Sequence, residues 1–160
     1  MDSKVLTKER RTQLYNEIEN DQNLAFLYDE TSARFISGCM LAKERISLNS
    51  IAMESTCRLI QQAVQTGLNL IHVYVDTVGK PEKHKQELEN VFPGIKFTVC
   101  PKADALYPIV SIASIVAKVS RDEALISVAE GVNDSGYGSG YPGDPETKAW
   151  LVHNVDNVFG

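Results

Sequence analysis

The sequence predicts an α/β protein with at least partly parallel strand pairing, on three observations. Two apolar runs of strand length, at 70–75 and 95–99, each end in a polar turn. Stretches with apolar residues at helical spacing precede, separate and follow them. Glycine and proline fall at the junctions, at Gly67, Pro81, Pro93, Gly94 and Pro108. Parallel neighbours need a crossover long enough to hold a helix, so this alternation favours a parallel sheet.

Each element has its own signal. Residues 7–19 read as a helix, with Leu14, Tyr15 and Ile18 on one face and charge elsewhere. The short apolar run 24–28, flanked by Asp and Asn, reads as a strand. Residues 35–41 are ambiguous because Gly38 interrupts them. An amphipathic helix is expected over 47–66, with Leu48, Ile51, Ala52, Leu59 and Ala63 inward and Gly67 at its C-terminal cap. The first strand, Leu70 through Val75, follows and stops at Asp76. Pro81 suits the first turn of the next helix, where its missing N–H costs nothing, and Phe92-Pro93-Gly94 closes that helix. The second strand alternates Ile95, Phe97 and Val99 and stops at Cys100-Pro101-Lys102-Ala103-Asp104. A long helix is expected over 108–129, with Ile109, Ile112, Ala113, Val116 and Val119 facing the core. After a Gly- and Tyr-rich loop, Asp144 and Pro145 take the N-cap and N1 positions of a last helix through Trp150 and Leu151.

A chain of 160 residues, 43% apolar and 23% charged, suits one ordinary globular domain with its own core. Cys39, Cys57 and Cys100 are odd in number and widely spaced, the pattern of reduced thiols in an intracellular protein. No apolar run approaches the roughly 20 residues that span a bilayer, and Met1-Asp2-Ser3-Lys4 opens no signal peptide. A net charge of −5 and a pI near 5.2 argue against coating nucleic acid by charge alone. They leave room for a local basic patch such as Lys4, Lys8, Arg10 and Arg11, whose plainer reading is a solvated face.

The chemistry concentrates at the two strand ends. Ligands of open α/β sheets bind outside the carboxyl ends of strands, and two carboxylates held there suit a hard divalent cation. Asp76 alone could simply bond its own turn, and Asp104 sits where a helix N-cap would. Their pairing, with Lys80 and Lys102 in the same turns to meet phosphate, favours function. The loop Gly136-Tyr137-Gly138-Ser139-Gly140-Tyr141 lacks phosphate-loop spacing and reads most plainly as a flexible surface loop. Its tyrosines nonetheless suit stacking on a sugar or base and bonding a 2′-hydroxyl. His72, His84 and His153 lack metal-ligand spacing, and neither a Ser-His-Asp arrangement nor a dinucleotide glycine fingerprint occurs.

With these stretches in hand, the chain resembles the catalytic subunit of type 2 ribonuclease H in its eukaryotic and archaeal form. The resemblance rests on Asp2-Ser3-Lys4, Leu48-Asn49-Ser50, Val75-Asp76-Thr77-Val78-Gly79, Phe92-Pro93-Gly94-Ile95, Lys102-Ala103-Asp104-Ala105-Leu106-Tyr107-Pro108, Ala117-Lys118-Val119 with Arg121-Asp122, Tyr137 through Pro142, and Thr147-Lys148-Ala149-Trp150-Leu151. It implies a ribonuclease H-like mixed sheet with flanking helices. It also implies an endonuclease acting on RNA–DNA hybrid and on single ribonucleotides in duplex DNA. The implied chemistry uses Mg²⁺ or Mn²⁺, one ion generating the attacking hydroxide and the other stabilising the leaving 3′ oxygen. By position, Asp76 and Asp104 look like catalytic metal ligands, and Tyr141 looks like the reader of the 2′-hydroxyl. Lys4 and Arg121 are secondary candidates for nucleic-acid contact or for bracing the site. The resemblance further implies two accessory subunits, nuclear localisation, a role in DNA replication and ribonucleotide excision repair, and no membrane.

The sequence departs from that pattern at its start. The family's Asp-Glu-Ala-Gly-Arg-Gly strand, with its first two acids, does not occur in these 160 residues. The expectation is therefore a partial single domain over 1–160 that lacks its first strands and a C-terminal extension: a truncated or spliced product, or an incomplete gene model. The segment between Leu125 and Tyr137 is also a few residues shorter than the family pattern and lacks its aromatic residues. Three competing readings stand beside catalysis: a non-catalytic remnant that binds hybrid or a partner, a chain that does not fold alone, and an unrelated small-molecule site.

Overall fold

In the computed structural model, residues 6–77, 79–132 and 136–155 are described. Lys4 and the Asp2-Ser3-Lys4 stretch lie outside them. The elements run α1 (Lys8–Asn20), α2 (Ala33–Leu41), α3 (Leu48–Gln65), β1 (His72–Asp76), α4 (Pro81–Val91), β2 (Lys96–Cys100), α5 (Ala103–Leu106), α6 (Pro108–Val132) and α7 (Pro145–Asn154). The chain divides into two compact units, 1–121 and 122–160, with the division inside α6.

Within the first unit, β1 and β2 pair in parallel, with Val73 opposite Phe97, Val75 opposite Val99 and Asp76 opposite Cys100. Helix α4 is the crossover between them and packs on β2. One sheet face presents Val73, Val75, Phe97 and Val99 to a core built on Ile60, Leu88 and Phe97, which Met53, Cys57, Phe92 and Ile95 complete. Leu88 is the most deeply placed, with no exposed surface. The opposite face carries the alternate residues His72, Tyr74 and Asp76, because side chains along a strand alternate sides. There the rings of His72 and Tyr74 stack with centroids 4.3 Å apart, and Tyr107 tilts against Tyr74 at 4.7 Å. A second core joins α1 to the first half of α6, where Ile18 meets Ile115, Val116 and Val119.

Caps set the helix starts. Thr7, Ser32 and Ser47 each accept an N–H from three residues on, opening α1, α2 and α3. Gly67 follows α3 at φ +86°, a backbone region that penalises a side chain.

Several expectations are corrected. Residues 24–28 form no strand: Leu24 and Phe26 lean against the α1–α6 core, and the segment finds no strand partner among the described residues. The ambiguous 35–41 stretch lies within α2, Gly38 included. On α3, Ile51 is buried and Leu59 and Ala63 are half-buried as expected, Ile60 is buried as well, and Leu48 and Ala52 are exposed. On α6, Val110, Ile115, Val116 and Val119 are buried while Ile109 and Ala113 face outward. The three cysteines are free and half-buried, and Cys57 packs against the core of the sheet. No helix of the described residues is long and apolar enough to cross a membrane.

Candidate functional site

The two strand ends are tied together by one hydrogen bond. Asp76, the last residue of β1, accepts the N–H of Ala103 at its Oδ1, 3.1 Å away. The parallel register brings it there. Asp76 lies opposite Cys100, and the N–H of Thr77 extends the ladder by one bond to the Cys100 carbonyl at 3.3 Å. Between Cys100 and Ala103 the chain must turn sharply, and Lys102 does so in the left-handed region at φ 56°, ψ 36°. That conformation costs a residue with a Cβ about 1–2 kcal/mol. A typical intramolecular hydrogen bond returns about 0.5–1.5 kcal/mol, comparable to that cost. The left-handed turn at Lys102 accompanies the Ala103 N–H bond to Asp76.

Asp104 is not the helix N-cap its position suggested. Lys102 occupies that place, and Asp104 is the second residue of the short helix α5, only 4% exposed. Asp76 is exposed. One bond thus sets an accessible carboxylate against the residue preceding a buried one. Lys80 and Lys102, in the two flanking turns, are both exposed.

The turn after Asp76 is latched by a residue that sequence reasoning left unassigned. Thr77 is buried, its Oγ1 accepts the Gly79 N–H at 3.2 Å, and it lies 3.1 Å from Nδ1 of His84 on the first turn of α4. His84 Nε2 is buried with no partner among the described residues. A single histidine in an exposed-looking helix offers no sequence signal for such a role. Only the seven-residue spacing from a strand-end threonine hints at it.

The loop that carries Tyr141 belongs to the second unit. Asp144 caps α7 by accepting the Glu146 N–H at 3.1 Å, and its Oδ2 accepts both the N–H and the hydroxyl of Ser139 at 2.6 Å. These bonds hold the Asp144 carboxyl down at a pKa of about 2. Buried Thr147 donates its hydroxyl to the Tyr137 carbonyl at 2.7 Å and accepts the Gly140 N–H at 2.9 Å. The loop is therefore pinned rather than free, and it leaves Tyr141 46% exposed. Arg121 lies half-buried on α6 with interactions of its own.

For a metal, the donor chemistry is partial. Two carboxylates are hard oxygen ligands of the kind that hold Mg²⁺ or Mn²⁺ together with water and substrate phosphate. No group of three or more His, Cys, Asp and Glu side chains suited to an ion occurs among the described residues. Asp76 and Asp104 are of the donor type that suits such a cation, and a two-ion arrangement requires further ligands.

Comparison with known proteins identifies the family. The family described as Ribonuclease HII matches residues 1–159. The A subunit of ribonuclease H2 from Arabidopsis thaliana is 48% identical over 99% of this chain, and that from Homo sapiens is 45% identical over 99%. The chain spans about half the length of these relatives, 55% and 54%. Among solved structures, the PCNA:RNase HII complex from Archaeoglobus fulgidus superposes with a TM-score of 0.75 at 31% identity, covering 95% of this chain and 68% of that one. The chain belongs to the ribonuclease HII family.

Proposed function

We propose that the protein containing this chain hydrolyses the RNA strand of RNA–DNA hybrids, including single ribonucleotides in duplex DNA, with Asp76 and Asp104 binding a divalent cation at the scissile phosphate. The observation that carries the proposal is the Ala103 N–H to Asp76 bond, which joins the two acid-bearing turns. Family membership and the ribonuclease H2 relatives support the substrate class. A cation bound there supplies the charge that polarises the attacking water and the leaving oxygen. The rest falls to the chain. Buried Asp104 and exposed Asp76, whose Oδ1 accepts the Ala103 N–H, are the residues that would hold the cation. Lys80 and Lys102 meet neighbouring phosphates, with Arg121 and Lys4 as further contacts to the nucleic acid. Tyr141 distinguishes a ribose by its 2′-hydroxyl. The names of the relatives and the PCNA-bound neighbour support protein partners as well. Nuclear replication and ribonucleotide repair are the setting that fits such an activity.

A second reading is favoured by the absence of a third acid near the pair among the described residues: the chain binds hybrid without cutting it. The test of both is a labelled DNA duplex with one ribonucleotide, incubated with Mg²⁺ or with chelator. Mg²⁺-dependent scission 5′ of the ribonucleotide, lost in Asp76→Asn, supports catalysis. Chelator-resistant, salt-sensitive binding without scission supports the second reading. A chain that neither binds nor cuts overturns both.

A further inference from the structure

We propose that Asp144 is a positioning residue that presets the Tyr141 loop for a ribose hydroxyl, acting through Ser139 and alongside Thr147. The inference rests on the reading of Tyr141 given above. Three consecutive residues lead into the contact, and each is held. Ser139 is fixed by two bonds of 2.6 Å to Asp144 Oδ2, from its N–H and its hydroxyl. Gly140 is fixed by its N–H on Thr147 Oγ1 at 2.9 Å. The Tyr141 carbonyl accepts the N–H of Asp144 at 3.0 Å. Thr147 also lies 3.3 Å from Asp144 Oδ2, but a hydroxyl has one proton, and the Tyr137 carbonyl at 2.7 Å is the nearer acceptor. Asp144 therefore acts on Ser139, and Thr147 acts on Tyr137 and Gly140.

The close approach depends on Gly138. At φ +66° a Cβ there would stand 2.6 Å from Asp144 Oδ2, 2.8 Å from Glu146 Cβ and 2.9 Å from the Thr147 nitrogen. The Asp144 carboxyl is ionised at neutral pH and acts as acceptor for all of its bonds, which lower its pKa to about 2. Presetting matters because a loop residue that must be ordered on binding lowers affinity by about tenfold. The function assigned is therefore discrimination of ribose from deoxyribose, beyond the stability of the loop itself.

The experiment compares affinity for a duplex with one ribonucleotide and for the all-DNA duplex, in Ca²⁺, by fluorescence anisotropy. Tyr141→Phe serves as the reference for a lost hydroxyl contact. Amide hydrogen exchange of Ser139 and Gly140 is read on the same proteins without nucleic acid. The expected result is that Asp144→Asn and Thr147→Val lower the ribose preference about tenfold, towards the Tyr141→Phe level, and expose the two amides, while Thr147→Ser retains both. Ser139→Ala, which removes one bond of the pair, carries the test if Asp144→Asn does not fold. Retention of full ribose preference with freely exchanging amides overturns the inference, as do wild-type amides that already exchange at unstructured rates. A wild type that binds both duplexes equally overturns the ribonucleotide reading, and this inference falls with it.

Discussion

Lys102 shows how one residue stores and returns energy at this site. It holds a left-handed conformation with a full side chain, and the benefit is the Ala103 N–H delivered to Asp76. Lys102→Gly removes about 1–2 kcal/mol of strain and adds about 0.4–1 kcal/mol of unfolded-state freedom. The expected outcome is a net stabilisation of roughly 0.5 kcal/mol, measured by urea unfolding. A clear loss of stability would mean that the Lys102 side chain contributes more than its backbone. Asp76→Asn separates structure from chemistry at the neighbouring position. Asparagine keeps an oxygen for the Ala103 N–H but loses the charge, so the melt should move little while metal affinity falls by at least about tenfold. The latch at Thr77 and His84 gives a third expectation: Thr77→Val leaves the Gly79 N–H and His84 Nδ1 without their partner, at about 1–3 kcal/mol.

At the scale of elements, the α4–β2 packing carries the stability of the strand ends. Leu88 is fully enclosed, so Leu88→Ala should cost about 2–5 kcal/mol, whereas Leu106→Ala, at a site 65% exposed, should cost under about 0.5 kcal/mol. Thermal unfolding of the two variants checks the contrast. The α7 cap has a pH signature. The Asp144 pKa is lowered to about 2, below its ordinary value of 3.8, so its contribution is fully present above about pH 4 and is lost as pH falls towards 2. Proteolysis of the 137–144 loop should rise across that window in wild type and be flat in Asp144→Asn. Elements with strong local signals were legible in the sequence. Pro81 at N1, Asp144 as N-cap and the alternation at Phe97 and Val99 all fall where their chemistry requires. The failures share a cause. The run 24–28 is short and apolar as a strand is, but a strand needs a neighbour, and local sequence carries no information about one. Asp104 follows the same logic: whether it caps or is enclosed depends on where β1 ends in space. That Asp76 and Asp104 both follow strands was legible in the sequence, whereas the His84 latch depends on the angle at which α4 leaves the turn.

On the scale of the whole molecule, the first unit leaves much apolar surface in water. Among the described residues β1 pairs with β2 alone, and Ile71, Leu41 and Ile109 are 67%, 81% and 51% exposed. Open strand edges with apolar neighbours invite association between chains. The 160-residue chain should therefore scatter light increasingly with concentration and bind a hydrophobic dye in its folded state, and a chain that stays monodisperse at high concentration would contradict this. The central claim is narrower: the two strand-end carboxylates share one divalent cation. Titrating Mn²⁺ into the chain and following the free-ion electron paramagnetic resonance signal tests it most directly. The expected result is a site of unit stoichiometry that is lost in both Asp76→Asn and Asp104→Asn while each variant still melts cooperatively. Mn²⁺ binding that survives either substitution in a folded chain would contradict it.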